Sequence, residues 1–428
     1  AIVRLSGAGA FDIAAQCVTP WPLAPRAATL VTVRNPHTRI AADRALATTF
    51  PAPRSFTGEH VVEISTHGGA VAPALVVAAF VAAGARPALA GEFTRRALLH
   101  GKLDLIQAEA LGDLIDAPSQ FAHAAALTQL SGALTTRVTA LRESILELEA
   151  LLAYDIDFPD EDDGPIAPAR IATAATAARD DIALLLETLP AARIGREGAV
   201  VVLAGVPNAG KSSLFNALIG EARAIVTEHA GTTRDAIDAL IEADPYPLRL
   251  VDTAGLRRAS DPVERLGVEV SERWLARADI ALACGTTSSD RETAAAASRE
   301  RSAATVLRVR TMADVNGGDA DNADASVSAV SGAGLTDLRQ AIARALETRY
   351  PRPRTDVPLI TRTRHAASLE TARTELTAFL DAWQHGAVPA TIAAVHVRTA
   401  VNALDALIGA VSTDDVLARV FERFCVGK

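Results

Sequence analysis

The sequence predicts a multidomain protein that combines α/β and all-helical parts: an N-terminal α+β domain, a discontinuous helical domain, and a doubly wound α/β domain inserted into the helical one. Three observations lead to this prediction. Short β-rich runs share residues 1–103 with an apolar helix, and helical periodicity fills 104–198 and returns at 351–428. Between the two helical segments, strand and helix signals alternate over 199–350. An insertion is the simplest arrangement that gives this order.

The composition indicates a folded protein without a general affinity for polyanions. Of 428 residues, 49% are hydrophobic and 22% charged, which allows each domain a core and excludes disorder. The net charge is −9, so nucleic acid would have to meet a local basic patch. The best local basic stretch surrounds the prolines near 351, and a solvated linker is the alternative interpretation. Its members are Arg349, Arg352, Arg354, Arg362 and Arg364.

Cysteine usage and hydropathy predict a cytoplasmic protein that does not enter a membrane. Cys17, Cys284 and Cys425 are far apart and form neither a disulfide framework nor a zinc motif. The N-terminal sequence lacks a secretory signal. The most apolar stretch, Val71 to Ala85, is shorter than the ~20 residues that span a bilayer and is predicted to be a buried helix.

Local periodicity justifies the N-terminal and helical domains. The runs Leu30 to Val33 and Val61 to Ser65 are β-rich, and an apolar helix follows Gly69. Two helices on either side of an acidic loop are predicted from apolar residues at three- and four-residue spacing. The first stripe is Leu141, Ile145, Leu148 and Leu152; the second is Ile182, Leu185, Leu186 and Leu189.

The strongest signal is a phosphate-binding loop. Ala199 to Ala204 is a continuous apolar run, typical of a parallel strand that is buried on both faces. The residues from Gly205 to Ser212 follow as G-x-x-x-x-G-K-S, and a helix is predicted over 213–219. Backbone N–H groups of such a loop and the helix N-terminus attract phosphates. Lys211 can bridge the terminal phosphates, and the Ser212 hydroxyl can hold Mg²⁺.

Three further elements follow in the order that a GTPase requires. A threonine in the segment 231–235 would reach Mg²⁺ and the γ-phosphate, and Asp252 ends a second strand, 248–251, where it can hold the metal's water. Ser328 and Ala329 precede a helix that starts near Leu335 and could contact the base. The residues predicted to contact GTP are Asn208, Ala209, Gly210, Lys211, Ser212, Ser213, Thr227, Glu228, His229, Ala230, Gly231, Thr232, Thr233, Asp252, Thr253, Ala254, Gly255, Asp314, Ser328 and Ala329.

Two positions depart from the common GTPase pattern. Leu256 stands where many GTPases place the glutamine that orients the attacking water, so another group must do so. Glu264 is the candidate, and an ordinary exposed helix acid is the alternative. Where Asn-Lys-x-Asp is expected, the chain has Thr311-Met-Ala-Asp314. Asp314 could still accept hydrogen bonds from guanine, but Thr311 lacks the paired donor and acceptor of an amide, so both strict and laxer guanine selectivity stay open.

Long segments of the chain resemble the MnmE (TrmE) family of tRNA-modification GTPases. GVPNAGKSSLFNALIG, AIVTEHAGTTRD, LVDTAGLRRASDPVERLG and the terminal FCVGK carry the resemblance in the C-terminal two thirds. RLSG, SFTGEHVVEISTHGG and GEFTRRALLHGKLDLIQAEALGDLIDA carry it in the N-terminal part. The resemblance implies a TrmE/Era-like P-loop GTPase domain. The chain begins at AIVRLSG without Met, and we expect the family's first strand to be missing from it.

The resemblance implies that the N-terminal domain binds folate and forms the homodimer. A tetrahydrofolate derivative, 5-formyl- or methylene-tetrahydrofolate, would meet Arg4, Glu63, Lys102 and the terminal Lys428. The cations suit the glutamate tail of a folate, and the acid suits the pterin N–H groups. Taken alone, each of these residues could equally be an ordinary surface charge.

The resemblance also implies the chemistry of the GTPase domain. Hydrolysis would be stimulated by K⁺, held by oxygens of Asn208, Thr227, His229 and Thr232, while Ser212 and Thr233 hold Mg²⁺. Lys211, Thr233 and Glu264 are then the catalytic residues, Glu264 positioning water through a relay. Cys425 is our candidate for the modification chemistry, with a packing role as the alternative.

The function implied is GTP hydrolysis coupled to modifying C5 of the wobble uridine of tRNA. The implied partner is an FAD-dependent protein of the MnmG (GidA) type, in a heterotetramer, with an aminomethyl donor. Two other classes stay open. A regulatory GTPase, for example of ribosome assembly, should lack the terminal Cys-x-Gly-Lys that is present here. A degenerate nucleotide-binding scaffold is suggested by the altered 311–314 element, yet Lys211, Ser212, Thr233 and Asp252 are all in place.

Overall fold

The computed structural model describes residues 1–157, 167–221, 238–252, 272–315, 322–352, 357–384 and 390–409. These residues form two compact units. The first comprises 1–112, 130–142 and 402–409, and the second comprises 113–129 and 143–401 within the described ranges. Each unit contains one β-sheet.

The first unit contains an antiparallel sheet with helices against it. Its strands are β1 (Ile2–Ser6), β2 (Val18–Thr19), β3 (Thr29–Arg34), β4 (Ala41–Phe50) and β5 (Val61–Ser65), in the spatial order β1-β5-β4-β3-β2. Its helices are α1 (Ala10–Cys17), α2 (Val71–Ala82), α3 (Glu92–Leu99) and α4 (Leu105–Ile115), whose last residues belong to the second unit. Alternate residues such as Val31 and Val33 are buried and pack with Phe80 of α2, as one covered sheet face requires.

The strand predictions of this region are confirmed, because Leu30 to Val33 lies within β3 and Val61 to Ser65 is β5. The apolar helix after Gly69 is α2, but the prediction that this helix is buried is wrong for one of its faces. Val76, Ala79 and Phe80 are buried, whereas Val71, Leu75, Val77 and Val81 are exposed.

The second unit contains the long helices. They are α5 (Gln120–Leu130), α6 (Ala133–Asp157), α7 (Pro168–Leu186), α8 (Leu189–Glu197), α12 (Thr363–Gln384) and α13 (Ala390–Ile408); part of α6 and the end of α13 belong to the first unit. α7 packs against α12. The predicted stripe of α6 is confirmed, since Leu141, Ile145, Leu148 and Leu152 are all buried.

The second predicted stripe is wrong at its end. Ile182 and Leu185 are buried, but α7 stops at Leu186 and Leu189 starts a new helix. The hydroxyl of Thr188 donates to the Leu185 carbonyl at 2.7 Å and accepts from the Ile360 N–H at 2.9 Å. Pro190 then suits the first turn of α8 and could not continue α7.

The second sheet is mostly parallel. Its strands are β6 (Ala199–Gly205), β7 (Asp238–Ile241), β8 (Leu248–Asp252), β9 (Ile280–Gly285), β10 (Thr305–Arg310) and β11 (Ala325–Ser326), in the order β11-β10-β9-β6-β8-β7, with only β7 antiparallel. The helices are α9 (Lys211–Glu221), α10 (Ser288–Arg301) and α11 (Leu335–Arg349).

Helices cover both faces of this sheet, as a doubly wound fold requires. Leu214 of α9 and Leu338 of α11 pack with Leu203 of β6, whereas the buried alanines of α10 pack with Ala283 of β9 in a separate cluster. The central strand β6 lies between β8 and β9. Its neighbouring residues Val202 and Leu203 are both buried and belong to two separate clusters, which confirms the prediction of a strand buried on both faces.

One helix meets the minimum length and hydropathy for crossing a bilayer. The window Thr391–Ile408 of α13 has a mean hydropathy of 1.2, and it is the single such helix in the part of the chain that the structure describes. Val397, Ala400 and Leu404 of this helix are buried within the protein, and buried helices of soluble proteins meet the same criterion.

Candidate nucleotide-binding site

The phosphate loop runs from the end of β6 to the start of α9. Asn208 and Gly210 have φ values of +64° and +76°, a conformation that turns successive N–H groups into a nest for anions. At Gly205 an added Cβ would lie 2.3 Å from the carbonyl oxygen of Cys284 on β9, so only glycine fits against the neighbouring strand. The helix begins at Lys211, two residues before the predicted 213–219, and therefore places Lys211 and Ser212 in its first turn.

Lys211 and Asp252 follow two adjacent strands: Lys211 begins α9 after the loop that leaves β6, and Asp252 ends β8. Asp252 is the last residue of β8 and pairs in register with Leu203 of β6, just before the loop. The Lys211 ammonium donates to the carbonyl oxygens of Gly205 and Val206, at 2.9 and 2.8 Å. Both side chains are buried, at 7% and 4% exposure, so their charges act in a partly dehydrated site. The hydroxyl of Ser212 and the carboxylate of Asp252 supply only oxygen donors, which suits Mg²⁺.

The segment 311–314, which the sequence predicts to contact the base, is in direct contact with this loop. Thr311 follows β10, is 3% exposed, and donates from its hydroxyl to the carbonyl oxygen of Ala209 at 2.7 Å. Its backbone N–H donates to Gly285 at the end of β9 at 3.2 Å. Asp314 is exposed three residues further on. This Thr311 contact is not predictable from the sequence, because the residue type shows that a threonine lacks amide functions but not which carbonyl its hydroxyl reaches.

The loop at Ser328 and Ala329, the second segment predicted to contact the base, is held by its own hydrogen bonds. Ser328 is buried, and its hydroxyl accepts from the Ser331 N–H at 3.2 Å, while its N–H donates to Ala333 at 2.9 Å. The helix α11 begins at Leu335, as predicted. The Ala313 N–H donates to the Val327 carbonyl at 3.1 Å and so links this loop to the segment 311–314.

The structure therefore brings half of the predicted GTP-binding residues to one edge of the sheet, where ligands bind in such folds. These residues are Asn208, Ala209, Gly210, Lys211, Ser212, Ser213, Asp252, Asp314, Ser328 and Ala329. The other predicted residues lie outside the described ranges: Thr227, Glu228, His229, Ala230, Gly231, Thr232, Thr233, Thr253, Ala254, Gly255, Glu264, Cys425 and Lys428. Of the four predicted K⁺ ligands, only Asn208 is described.

In the first unit, the structure pairs two of the predicted folate residues. Arg4 and Glu63 face each other across β1 and β5 and form an ion pair of 2.8 Å. The Arg4 guanidinium also lies 5.4 Å from the ring centre of Phe56 and 5.5 Å from that of Phe93. Lys102 is exposed after α3.

The basic stretch near residue 350 is engaged in contacts within the protein. Arg349 donates to the Ala303 carbonyl at 2.6 Å, Arg352 pairs with Glu347 and Asp244, and Arg362 pairs with Asp113 at 2.7 Å. Arg354 lies outside the described residues. These bonds favour a structural role for Arg349, Arg352 and Arg362 over a free nucleic-acid patch.

A parallel sheet whose central strand leads through G-x-x-x-x-G-K-S into a helix defines a P-loop nucleotide-binding protein. Two family models cover nearly the whole chain. The MnmE helical domain matches residues 105–425, and the GTP-binding protein TrmE N-terminus matches residues 1–102.

Relatives named tRNA modification GTPase MnmE match all of this chain. The protein of Acidiphilium cryptum is 41% identical, with 95% of its own length covered. Those of Azoarcus sp. and of a strain of Thermus thermophilus are each 40% identical, with 94% and 95% covered. Among solved structures, the G domain of the T. maritima FeoB iron transporter is 24% identical with a TM-score of 0.26, over 34% of this chain and 98% of that one. The chain belongs to the MnmE family of tRNA modification GTPases, and it is a GTP hydrolase.

Proposed function

We propose that this chain hydrolyses GTP to drive the modification of C5 of the wobble uridine of tRNA. Family membership over the full length supports the tRNA role. The observation that carries the GTPase site is the placement of Lys211 and Asp252 beside the phosphate loop at the ends of β6 and β8. We propose the domain limits 1–103, 104–198, 199–350 and 351–428 for the folate-binding domain, the first helical part, the GTPase domain and the second helical part.

In the proposed mechanism, the loop from Gly205 to Ser212 receives the β- and γ-phosphates. Lys211 exchanges its two carbonyl acceptors for phosphate oxygens and offsets negative charge as the bond breaks. The hydroxyls of Ser212 and Thr233 would hold Mg²⁺, which neutralises charge on the phosphates. Asn208, Thr227, His229 and Thr232 would supply oxygens for K⁺, which adds positive charge at the same place.

Two further groups complete the proposed site. Glu264 positions the attacking water, a task that Leu256 cannot perform. Asp314 reads guanine, because a carboxylate accepts from both the N1–H and the exocyclic amine, and adenine offers no such pair of donors.

We propose that the N-terminal domain binds 5-formyl- or methylene-tetrahydrofolate and forms a homodimer. The pair of Arg4 and Glu63 beside two phenyl rings offers a cation, an acid and aromatic faces, which are the groups that a folate can use. Lys102 and Lys428 would complete the site. The protein would act in the cytoplasm with an FAD-dependent partner of the MnmG (GidA) type in a heterotetramer.

The GTPase part is tested by phosphate release from GTP, with ATP as competitor, in KCl and in NaCl. We expect a rate that depends strongly on K⁺ and no competition by ATP. The variant Asp314→Asn should lose GTP hydrolysis and gain hydrolysis of XTP, because an amide can donate to the C2 oxygen of xanthine. Equal rates in KCl and NaCl would contradict the proposed K⁺ site. Competition by ATP would contradict the proposed recognition of guanine.

The tRNA part is tested by nucleoside analysis of tRNA from cells in which this chain is the only source of the activity. We expect the modified wobble uridine with the wild-type chain. The variant Cys425→Ser should retain GTP hydrolysis and abolish modification. Unmodified uridine in cells that carry the wild-type chain would favour a regulatory GTPase, for example of ribosome assembly. Unchanged modification with the Cys425→Ser variant would mean that Cys425 has a packing role.

A further inference from the structure

Thr311 joins two loops that are far apart in the sequence. Its hydroxyl donates to the carbonyl oxygen of Ala209 at 2.7 Å, across 102 residues of chain. Thr311 and Ala209 are each 3% exposed, so water does not compete for this hydrogen bond. Ala209 lies between Asn208 and Gly210, the two residues in the left-handed conformation. Its carbonyl is therefore part of the backbone that forms the phosphate-binding nest.

The neighbouring residue brings the same two loops into van der Waals contact. Met312 has a φ of +55°, which is unfavourable for a residue with a Cβ and persists only where surrounding contacts hold it. A Cβ added to Gly210 would lie 3.3 Å from Cε of Met312 and 3.5 Å from Cβ of Thr311. The phosphate loop and the segment 311–314 are therefore packed tightly as well as hydrogen bonded.

The position of Asp314 follows from these contacts. Thr311 is bonded on one side to Gly285, and Ala313 is bonded to Val327, so the backbone that leads to Asp314 is held at both ends. A hydrogen bond weakens steeply when its geometry changes by a few tenths of an ångström or its angle falls. Because one nucleotide must reach both loops, a shift between them would first weaken the contacts to the base.

We propose that Thr311 is a positioning residue for guanine selectivity: its hydroxyl fixes Asp314 relative to the phosphate loop. The inference rests on the proposed role of Asp314 in reading guanine. The single hydroxyl of Thr311 then holds the segment 311–314 against the phosphate loop. Guanine selectivity therefore persists although the chain has Thr-Met where Asn-Lys is usual. Of the two alternatives that the sequence leaves open, the contact favours strict guanine selectivity, and this selectivity depends on Thr311.

The test compares Thr311→Val, which keeps the shape and removes the donor, with Thr311→Ser, which keeps the donor. The dissociation constants of GDP, IDP and ADP are measured by isothermal titration calorimetry. IDP lacks the exocyclic amine, so the ratio of the IDP constant to the GDP constant reports the contact with Asp314. We expect Thr311→Val to weaken GDP binding by about tenfold and to move this ratio toward one, as loss of one buried hydrogen bond allows. Thr311→Ser should retain the wild-type ratio.

The outcomes separate this inference from the proposed function. A Thr311→Val variant that is less stable but keeps the wild-type ratio of IDP to GDP would overturn the positioning role, because a purely structural residue leaves that ratio unchanged. A wild-type protein that binds GDP, IDP and ADP equally would overturn guanine recognition itself. If the valine variant does not fold, Thr311→Cys against Thr311→Ser decides by the same ratio, since a thiol is a weak donor of similar size.

Discussion

The Lys211 ammonium donates a 2.9 Å hydrogen bond to the carbonyl oxygen of Gly205, the residue that begins the phosphate loop. A second hydrogen bond of 2.8 Å reaches the Val206 carbonyl oxygen. The lysine side chain therefore extends from the end of the phosphate loop back to its first two residues. A charged donor binds an anionic oxygen more strongly than a neutral carbonyl oxygen. In the proposed function, the Lys211 ammonium exchanges these two carbonyl acceptors for phosphate oxygens, which bind it more strongly.

Replacing Lys211 with methionine should reduce the rate of GTP hydrolysis by about 10²- to 10³-fold, because one preorganised charge is lost from the site. The methionine side chain retains most of the apolar stem, so the midpoint of thermal unfolding should change little. Steady-state phosphate release measures the rate. Arg299→Met removes one positive charge from α10 in the same domain and should leave the rate unchanged; a rate loss of equal size there would point to net charge rather than to Lys211.

Gly334 is a position where a single methyl group should disturb the loop proposed to contact the base. Its φ is +77°, and an added Cβ would lie 1.9 Å from the carbonyl oxygen of Ser326. Gly334→Ala should therefore lower the free energy of unfolding by about 2 kcal/mol or more, and should weaken GDP binding, because the loop at Ser328 must move. Urea denaturation and calorimetry measure the two effects.

The matched control is Gly220→Ala in α9. An added Cβ at Gly220 meets no atom within 4 Å, and alanine favours a helix by up to about 1 kcal/mol over glycine. That variant should be as stable as the wild type or more stable. A loss at Gly220 equal to that at Gly334 would contradict the role assigned to the positive φ and the Ser326 contact of Gly334.

The phosphate loop was predictable because its chemistry is local. Eight consecutive residues from Gly205 to Ser212 contain the glycines and the lysine, and the strand before them is apolar throughout. The contact between Thr311 and Ala209 was not predictable, because it joins segments 102 residues apart and replaces an amide by a hydroxyl. The residue type shows which functional groups a side chain has. It does not show which carbonyl oxygen lies within hydrogen-bonding distance in the folded protein.

The missed elements of the fold have equally physical causes. The strand β4 (AADRALATTF) contains few β-branched or aromatic residues, so its pairing with β3 and β5 and not its own propensity makes it a strand. The break between α7 and α8 was missed because the apolar period continues through it. There the tertiary hydrogen bond from Ile360 to Thr188 holds a turn that local periodicity does not signal.

Cys17 and Cys284 should resist alkylation in the folded protein. Burial raises the pKa of Cys17 to about 11 and that of Cys284 to about 12, so almost no reactive thiolate is present at pH 8. Both are also inaccessible, at 2% and 0% exposure. Iodoacetamide labelling mapped by mass spectrometry should find neither cysteine modified in the native protein and both modified in urea. Native labelling of Cys284 would mean that the core between β6 and β9 opens on the time scale of the reaction.

Glu92 should make the free energy of unfolding of the first unit depend on pH, with lower stability in acid. Its carboxylate accepts from Arg86 at 2.6 and 2.9 Å, from Arg96 at 2.6 Å, and from the Leu89 N–H at 2.8 Å. The hydrogen bonds from Arg86, followed by those from Leu89 and Arg96, lower the pKa of Glu92 from 4.5 to about 2. A depressed pKa stabilises the fold above the unfolded pKa, and this stabilisation is lost as pH falls through the folded pKa.

The variant Glu92→Gln should therefore be less stable than the wild type at pH 7, by on the order of 1 kcal/mol because solvent screens the exposed Arg86. The difference should shrink below pH 4.5 and vanish near pH 2, the window between the unfolded and folded pKa values of Glu92. Urea denaturation followed by Trp21 fluorescence, with Trp274 and Trp383 replaced by phenylalanine, measures it. Asp12→Asn removes an exposed carboxylate from α1 and should change stability by less than about 0.5 kcal/mol. A difference for Glu92→Gln that grows on acidification would reverse the sign and contradict the assigned role of the Arg86 and Arg96 contacts.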